Sequence, residues 1–162
     1  MEECSMNLLD YKTSIPQFAR YPVANERQYL ALGLVSEVGE LAGKLAKRLR
    51  SDDVSDEDVI SELGDVIWFT FMIRNRYNVG LMPTVRTFTI RHADHAIQRM
   101  FECAAQVYTE MQRDTVTPIT LCMLEDCVDH LARLHQVTLD EVAEANYQKL
   151  ASRAQRGVLQ GN

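Results

Sequence analysis

The segment from Ser55 to Tyr77 constrains the fold most, because its apolar residues leave no polar side when it is wound into a helix. These residues are Val59, Ile60, Leu63, Val66, Ile67, Trp68, Phe69, Phe71, Met72 and Ile73. A helix that is apolar all round is buried by other parts of the protein. Ser55 is placed to cap its start, and three acids follow in the first turn, where the helix dipole favours negative charge. We therefore predict a buried helix over this segment.

Helical periodicity extends over most of the remaining chain and predicts an all-α bundle of about five to six helices. The predicted helices are 7–20 with an interruption at Pro16, 26–50, 55–77, 83–111, 118–135 and 138–155. The stretch 85–90 is rich in β-branched residues and could also be extended. Only 7 glycines and 4 prolines occur, which argues against an all-β fold with many tight turns. We treat residues 1–162 as a single all-α domain.

Charge and composition exclude several functional classes. The 17 basic and 23 acidic residues give a net charge of −6, which is not typical of a protein that binds duplex nucleic acid. No apolar run reaches the roughly 18 residues of a membrane span, and the first ten residues do not resemble a secretory signal. Neither glycine-rich phosphate-binding motif occurs. We expect a cytoplasmic protein, located in the host cytoplasm if a phage encodes it.

The cysteines and histidines offer a weaker metal hypothesis. The four cysteines form no C-x-x-C pair, so we expect reduced thiols that serve packing; they are Cys4, Cys103, Cys122 and Cys127. A zinc site would have to combine Cys122 and Cys127 with histidines, which are His92, His95, His130 and His135. These spacings match no known zinc module.

Two carboxylate pairs carry the strongest chemical signal. Glu37 and Glu40 are three residues apart in the second predicted helix, and Glu62 and Asp65 have the same spacing in the third. Residues three apart lie about 60° apart on one helix face and one turn along. Each pair can therefore direct both carboxylates towards one point.

The surroundings of these acids favour a bound cation. Glu62 and Asp65 interrupt the apolar helix, and uncompensated buried charges cost several kcal/mol each. The nearby cations Lys44, Lys47 and Arg48 are too few to neutralise four acids while also reaching water. Mg²⁺ prefers carboxylate oxygens and substrate phosphates. A structural cluster of salt bridges remains the alternative.

The last predicted helix carries a basic stripe. Lys149, Arg153 and Arg156 follow one another at spacings of four and three, and Asn146 lies one turn earlier. Guanidinium and ammonium groups suit phosphate oxygens. Taken alone, the stripe fits a solvated helix end better, because cations also favour that end of the helix dipole.

These motifs resemble a known family. The sequences LGLVSEVGEL at 32–41 and ELGDVIW at 62–68 resemble the phage and bacterial MazG-like nucleoside triphosphate pyrophosphohydrolases, which are all-α. Residues 142–158 resemble the closing helix of that family. Tyr11 and residues 18–22 also resemble the sequences of phage and bacterial members. The resemblance covers about residues 8–80 and 120–160.

The resemblance implies a Mg²⁺-dependent enzyme, with Mn²⁺ as a substitute, that hydrolyses a nucleoside triphosphate to the monophosphate and pyrophosphate. It implies that Glu37, Glu40, Glu62 and Asp65 bind the metal and carry the catalysis. The substrate-binding residues that it implies are Lys44, Lys47, Asn146, Lys149, Arg153 and Arg156. Such an enzyme, a diphosphatase, would control the nucleotide pool, with dGTP among the candidate substrates.

We also expect a homodimer or homotetramer. The resemblance points to one, and a chain of this length would have difficulty covering a helix that is apolar on every side. Trp68 or Tyr29 could stack on a base, although each is more typical of a core residue.

One departure from the family concerns the residues between 80 and 137. Leu124–Val137 resembles a second copy of the helix that bears Glu62 and Asp65, without its first acid. The chain would then be a duplication whose second half has partly decayed. A non-catalytic helical module that binds metal, nucleotide or a partner protein is the alternative function.

Overall fold

The computed structural model describes residues 6–51, 53–82, 90 and 92–159. Within these ranges the protein contains six α-helices, two short 3₁₀ turns at Ile15–Phe18 and Val23–Asn25, and no strand. The helices are α1 (Leu8–Ser14), α2 (Glu26–Leu49), α3 (Asp56–Arg76), α4 (Ala93–Gln112), α5 (Pro118–Leu134) and α6 (Leu139–Gln155). The all-α prediction is confirmed.

Local capping explains where three of the helices begin. The Asn7 side chain accepts hydrogen bonds from the backbone of α1. Ser55 with Asp58 and Thr138 with Glu141 form reciprocal capping boxes at the starts of α3 and α6. Each box satisfies backbone donors that the first helical turn leaves without partners. These starts agree with the sequence prediction.

The start of α4 differs from the prediction. We expected a helix from Pro83, but α4 begins at Ala93, and Ile90 has no regular structure. His92 is extended, with φ −163° and ψ 168°, and its side chain accepts a hydrogen bond from the backbone of His95. The imidazole therefore caps the helix at this point. Residues 83–89, which include most of the β-branched stretch, lie outside the described residues.

Two helix pairs build the bundle. Helices α2 and α3 pack against each other, α4 packs on α5, and contacts of α2 with α4 and of α3 with α5 join the pairs. Helix α6 lies along α3, and α1 contacts both. Buried residues of α3 include Val59, Leu63, Gly64 and 66–74. One chain therefore covers α3, contrary to our expectation that a chain of this length would have difficulty doing so.

A buried ion pair ties α3 to α5. Arg74 is fully buried, and its Nε and Nη2 donate to the two carboxylate oxygens of Glu125 at 2.5 and 3.1 Å. Its Nη1 donates to the carbonyl of Gly80 at 2.8 Å. Glu125 belongs to the segment that echoes the acidic motif of α3. In the described structure it is the partner of an arginine in the core.

The helices and the cysteines bear on two further expectations. None of the helices in the described ranges is long and apolar enough to cross a membrane. The described cysteines, Cys103, Cys122 and Cys127, are buried free thiols, as expected for packing groups. Cys4 lies outside the described residues.

Candidate metal centre

Three carboxylates converge where α2 packs on α3. Glu37, Glu40 and Glu62 each offer an oxygen, and these oxygens lie within 4.8 Å of one another. Glu37 and Glu62 are partly buried, and Glu40 is exposed. Among the described residues this is the one cluster of three or more metal-ligating side chains with such spacing. The structure thus groups three of the four acids that we expected to converge, and Asp65 is not a member of this group.

Burial and mutual repulsion raise the pKa values of two acids in the cluster. Burial, together with the carboxylates of Asp65, Glu40 and Glu62, raises the pKa of Glu37 from 4.5 to about 7. Burial and the charge of Asp65 also raise the pKa of Glu62, although Lys44 opposes this shift. Hard oxygen donors with excess negative charge suit a divalent cation such as Mg²⁺.

Asp65 lies next to the three glutamates but is bound to Lys149. The Lys149 ammonium donates to both Asp65 carboxylate oxygens at 2.6 Å and to Ser61 Oγ at 3.1 Å. The charges of Asp65 and Lys149 both act on Glu37 and Glu62. The structure therefore pairs a lysine of the closing helix with one of the acids, whereas the sequence predicted that this lysine binds substrate phosphates.

Asn146 occupies a different position from the one expected of a substrate-binding residue. It is 3% exposed, and its Nδ2 donates to Asp65 Oδ1 at 2.9 Å. Its Oδ1 accepts a hydrogen bond from the Tyr11 hydroxyl at 2.7 Å. Burial and the charge of Asp65 raise the pKa of Tyr11, so this phenol stays protonated. Asn146 is therefore a partner of Asp65 inside the protein.

The other predicted phosphate ligands lie around the cluster at different distances. Lys44 Nζ is 3.2 Å from Asp58 and 3.8 Å from Glu62, so it partly neutralises the site. Lys47 is exposed on α2, two turns beyond Glu40. Arg153 and Arg156 are exposed on α6 and its C-cap. The structure brings Lys44 and Lys149 to the acids, and the other three residues are exposed.

Two glycines make the close helix approaches possible. A Cβ on Gly33 would lie 2.1 Å from the Phe69 ring, and a Cβ on Gly64 would lie 2.9 Å from Cβ of Asn146. A Cβ on Gly39 or Gly43 would meet nothing within 4 Å. Packing within the chain therefore explains Gly33 and Gly64 and leaves the other two glycines of α2 unexplained.

Aromatic side chains border the cluster on one side. Tyr29 is 44% exposed, stacks on Tyr21 at 4.6 Å, and has its pKa raised by burial and by Glu37. Trp68 is 8% exposed and packs edge-on against Phe69. Trp68 is therefore a core residue, and Tyr29 is the more accessible of the two aromatics that we considered for base stacking.

The second half of the chain offers no comparable centre in the described ranges. No group of three metal-ligating side chains occurs there with the required spacing. His135 contacts Asp56 at 2.9 Å, and Glu125 is paired with Arg74. The histidines and cysteines that we considered for zinc do not form such a group in the part of the chain that is described.

Sequence reasoning missed Tyr11 as a partner of Asn146 and Ser61 as a partner of Lys149. Tyr11 is 135 residues from Asn146 in the chain, and Ser61 is 88 residues from Lys149. No local pattern connects such residues. The glycine at position 64 was the available signal, because it marks a point where another side chain approaches α3 closely.

The chain is similar to the Gene 37 protein of Mycobacterium phage L5, with 34% identity over 82 residues. The match covers 44% of this chain and 72% of the phage protein. No protein-family model matches the chain, and no solved structure matches it.

Proposed function

This chain belongs to the family of the Gene 37 protein of Mycobacterium phage L5, and we propose that it is a divalent-metal-dependent nucleoside triphosphate pyrophosphohydrolase. It would cleave a nucleoside triphosphate between the α and β phosphates and release pyrophosphate. The observation that carries the proposal is the convergence of Glu37, Glu40 and Glu62, with Asp65 beside them. The resemblance of both acidic motifs to the MazG-like enzymes supports the same reaction.

The donor set fits Mg²⁺ or Mn²⁺. The three converging side chains are carboxylates on α2 and α3, and the pKa of Glu37 is raised first by burial and then by the neighbouring carboxylates. Glu37, Glu40, Glu62 and Asp65 would hold the cation. When bound, it would neutralise phosphate oxygens and ease deprotonation of the attacking water.

The residues of the chain would share the remaining tasks. One of the four carboxylates would orient the water and accept its proton. Lys149 pairs with Asp65, and its ammonium would turn to a phosphate of the bound substrate. Arg153 lies about 6 Å further along α6, at 1.5 Å of rise per residue. It would meet the phosphates beyond those that Lys149 contacts.

The substrate would come from the nucleotide pool of the cytoplasm, or of the host cytoplasm if a phage encodes the chain. We include dGTP among the candidates. We also infer a homodimer or homotetramer from the family resemblance alone, since α3 is covered within one chain. Light scattering that gives the mass of one chain at micromolar concentration would contradict the oligomer.

A pyrophosphate-release assay tests the proposed activity. The common ribo- and deoxyribonucleoside triphosphates are assayed singly, with Mg²⁺ or with a chelator. We compare the wild type with Glu62→Gln and with Glu57→Gln, a control that removes an exposed carboxylate from the first turn of α3. The wild type and the control should release pyrophosphate only with Mg²⁺, and Glu62→Gln should release none.

Two results would contradict the proposal. Release of pyrophosphate by Glu62→Gln at the wild-type rate would remove the acids from the reaction. Absence of release from every nucleotide, with Mg²⁺ or nucleotide still raising the melting temperature, would favour the non-catalytic binding module instead.

A further inference from the structure

A buried chain of two hydrogen bonds connects α1 to the acidic cluster. The Tyr11 hydroxyl donates to Asn146 Oδ1 at 2.7 Å, and Asn146 Nδ2 donates to Asp65 Oδ1 at 2.9 Å. Tyr11 is 0% exposed and Asn146 is 3% exposed. We call these three residues the Tyr11 relay. It joins three helices that are distant in sequence and ends on Asp65, whose charge acts on Glu37 and Glu62.

The chemistry of the groups fixes the direction of the relay. An ionised carboxylate only accepts hydrogen bonds, so the side of the Asn146 amide that faces Asp65 must be its NH₂ group. The amide oxygen then faces Tyr11, whose hydroxyl can donate to it. Without that donor, the buried amide oxygen would have no partner in this relay, and the amide would lose one of the two contacts that orient it.

Packing holds both ends of the relay. The Tyr11 ring packs edge-on against Phe71 on α3, with ring centroids 5.6 Å apart. Gly64 precedes Asp65, and a Cβ at this position would lie 3.1 Å from Asn146 Nδ2. The absence of that Cβ lets the amide approach α3 closely. The geometry is thus set by the fold and not by a mobile surface side chain.

The relay and Lys149 hold Asp65 in different ways. Lys149 contacts both carboxylate oxygens, whereas Asn146 contacts Oδ1 alone. If Lys149 turns to a phosphate, Asn146 still holds Oδ1 and leaves Oδ2 accessible to a cation. The carboxylate would then keep its orientation when its charged partner leaves.

We propose that Tyr11 is a positioning residue for divalent-cation binding, acting through Asn146 on the Asp65 carboxylate. This inference rests on the proposed function, because it takes Asp65 as a ligand. Hydrogen bonds that orient a metal ligand typically change metal affinity by about 10–100-fold when they are removed. Tyr11 is two hydrogen bonds from the cation, so we expect a loss of about 10-fold.

The experiment titrates Mn²⁺ alone into the intact protein and measures free Mn²⁺ by electron paramagnetic resonance. Tyr11→Phe keeps the ring that packs on Phe71 and removes only the hydroxyl. Tyr77→Phe is the matched control, because Tyr77 lies at the C-cap of α3, 12 residues beyond Asp65, and its hydroxyl donates to Asp114 at 3.1 Å. Tyr11→Phe should bind Mn²⁺ about 10-fold more weakly than the wild type, and Tyr77→Phe should bind it equally well.

A double-mutant cycle isolates the relay. Asn146→Ala removes the link between Tyr11 and Asp65, so adding Tyr11→Phe should cause no further loss of Mn²⁺ affinity. If Tyr11→Phe alone fails to fold, Asn146→Ala tests the relay one bond closer to Asp65 and should also weaken Mn²⁺ binding.

The outcomes separate this proposal from the proposed function. A wild type that binds Mn²⁺ together with a folded Tyr11→Phe of equal affinity would overturn the positioning role, even if the variant melts at a lower temperature. Additive losses in the double-mutant cycle would overturn it as well. A wild type that does not bind Mn²⁺ would overturn the metal site itself and the inference with it.

Discussion

Replacing Glu37 by Gln should stabilise the metal-free protein above neutral pH. The carboxylate of Glu37 is partly buried beside three other acids, and its pKa is raised from 4.5 to about 7. A group with a raised folded-state pKa binds its proton more tightly in the folded protein. The wild type therefore loses stability as the pH rises from about 4.5 to about 7, and the full loss remains above that range. Glutamine carries no charge and avoids this loss.

The size of the effect follows from the shift in pKa. At about 1.4 kcal/mol per pH unit, a shift from 4.5 to about 7 corresponds to roughly 3 kcal/mol. Glu37 is only partly buried, so solvent screening reduces this figure, and we expect about 1–2 kcal/mol. For a chain of this length, each kcal/mol corresponds to about 2–4 °C in melting temperature.

The assay is urea unfolding and thermal melting in a chelator at about pH 8 and about pH 5. Glu37→Gln should exceed the wild type by about 1–2 kcal/mol at the higher pH and should approach it at the lower pH. Mg²⁺ should raise the melting temperature of the wild type much more than that of the variant. The control Glu57→Gln, in the first turn of α3, should lose a few tenths of a kcal/mol because the helix dipole favours an acid there.

One result would refute the reasoning about Glu37. If Glu37→Gln is less stable than the wild type in a chelator at about pH 8, the carboxylate has a stabilising partner within the protein. The acids would then form a structural cluster of salt bridges and would not be a cation-binding site.

Four further substitutions, of which Gly39→Ala is a control, test other parts of the account. Arg74→Met leaves Glu125 buried without its partner and should destabilise the protein by about 3–5 kcal/mol in urea unfolding; a loss below ~1 kcal/mol would show that the pair is not required. Gly64→Ala should lower the free energy of unfolding by about 1–3 kcal/mol, because its Cβ would clash with a side chain of α6. Gly39→Ala should raise the free energy of unfolding by up to ~1 kcal/mol, because a Cβ there meets nothing. Equal effects of the two substitutions would contradict the packing argument. Lys149→Met should abolish triphosphate cleavage and keep Mn²⁺ binding, measured by titration; loss of Mn²⁺ binding would mean that the lysine holds the acids in place.

The sequence predicted those parts of the structure that depend on local rules. Ser55 with Asp58 and Thr138 with Glu141 mark helix starts because each box satisfies backbone donors within one turn. The i, i+3 spacing of the acids also follows a local rule, because residues three apart lie on the same face of a helix. Glu62 was recognisable as a candidate ligand because it interrupts an otherwise apolar helix.

The remaining features depend on contacts between distant parts of the chain. The bonds of Asp65 to Lys149 and of Asn146 to Tyr11 span 84 and 135 residues, so no periodicity indicates them. The packing of α6 and α1 on α3 could not be predicted from the sequence either. We therefore expected that one chain would have difficulty covering α3. The start of α4 was missed because His92 caps the helix with its imidazole, which is not among the usual capping side chains.

The central claim is that the four acids direct cleavage between the α and β phosphates of a nucleoside triphosphate. The most direct measurement is ³¹P nuclear magnetic resonance of the triphosphate that gives the highest turnover, incubated with the wild type and Mg²⁺. We predict resonances of the nucleoside monophosphate and of pyrophosphate in equal amounts, and no reaction in a chelator or with Glu62→Gln. Formation of the nucleoside diphosphate and inorganic phosphate, or an unchanged triphosphate with the wild type and Mg²⁺, would contradict the claim.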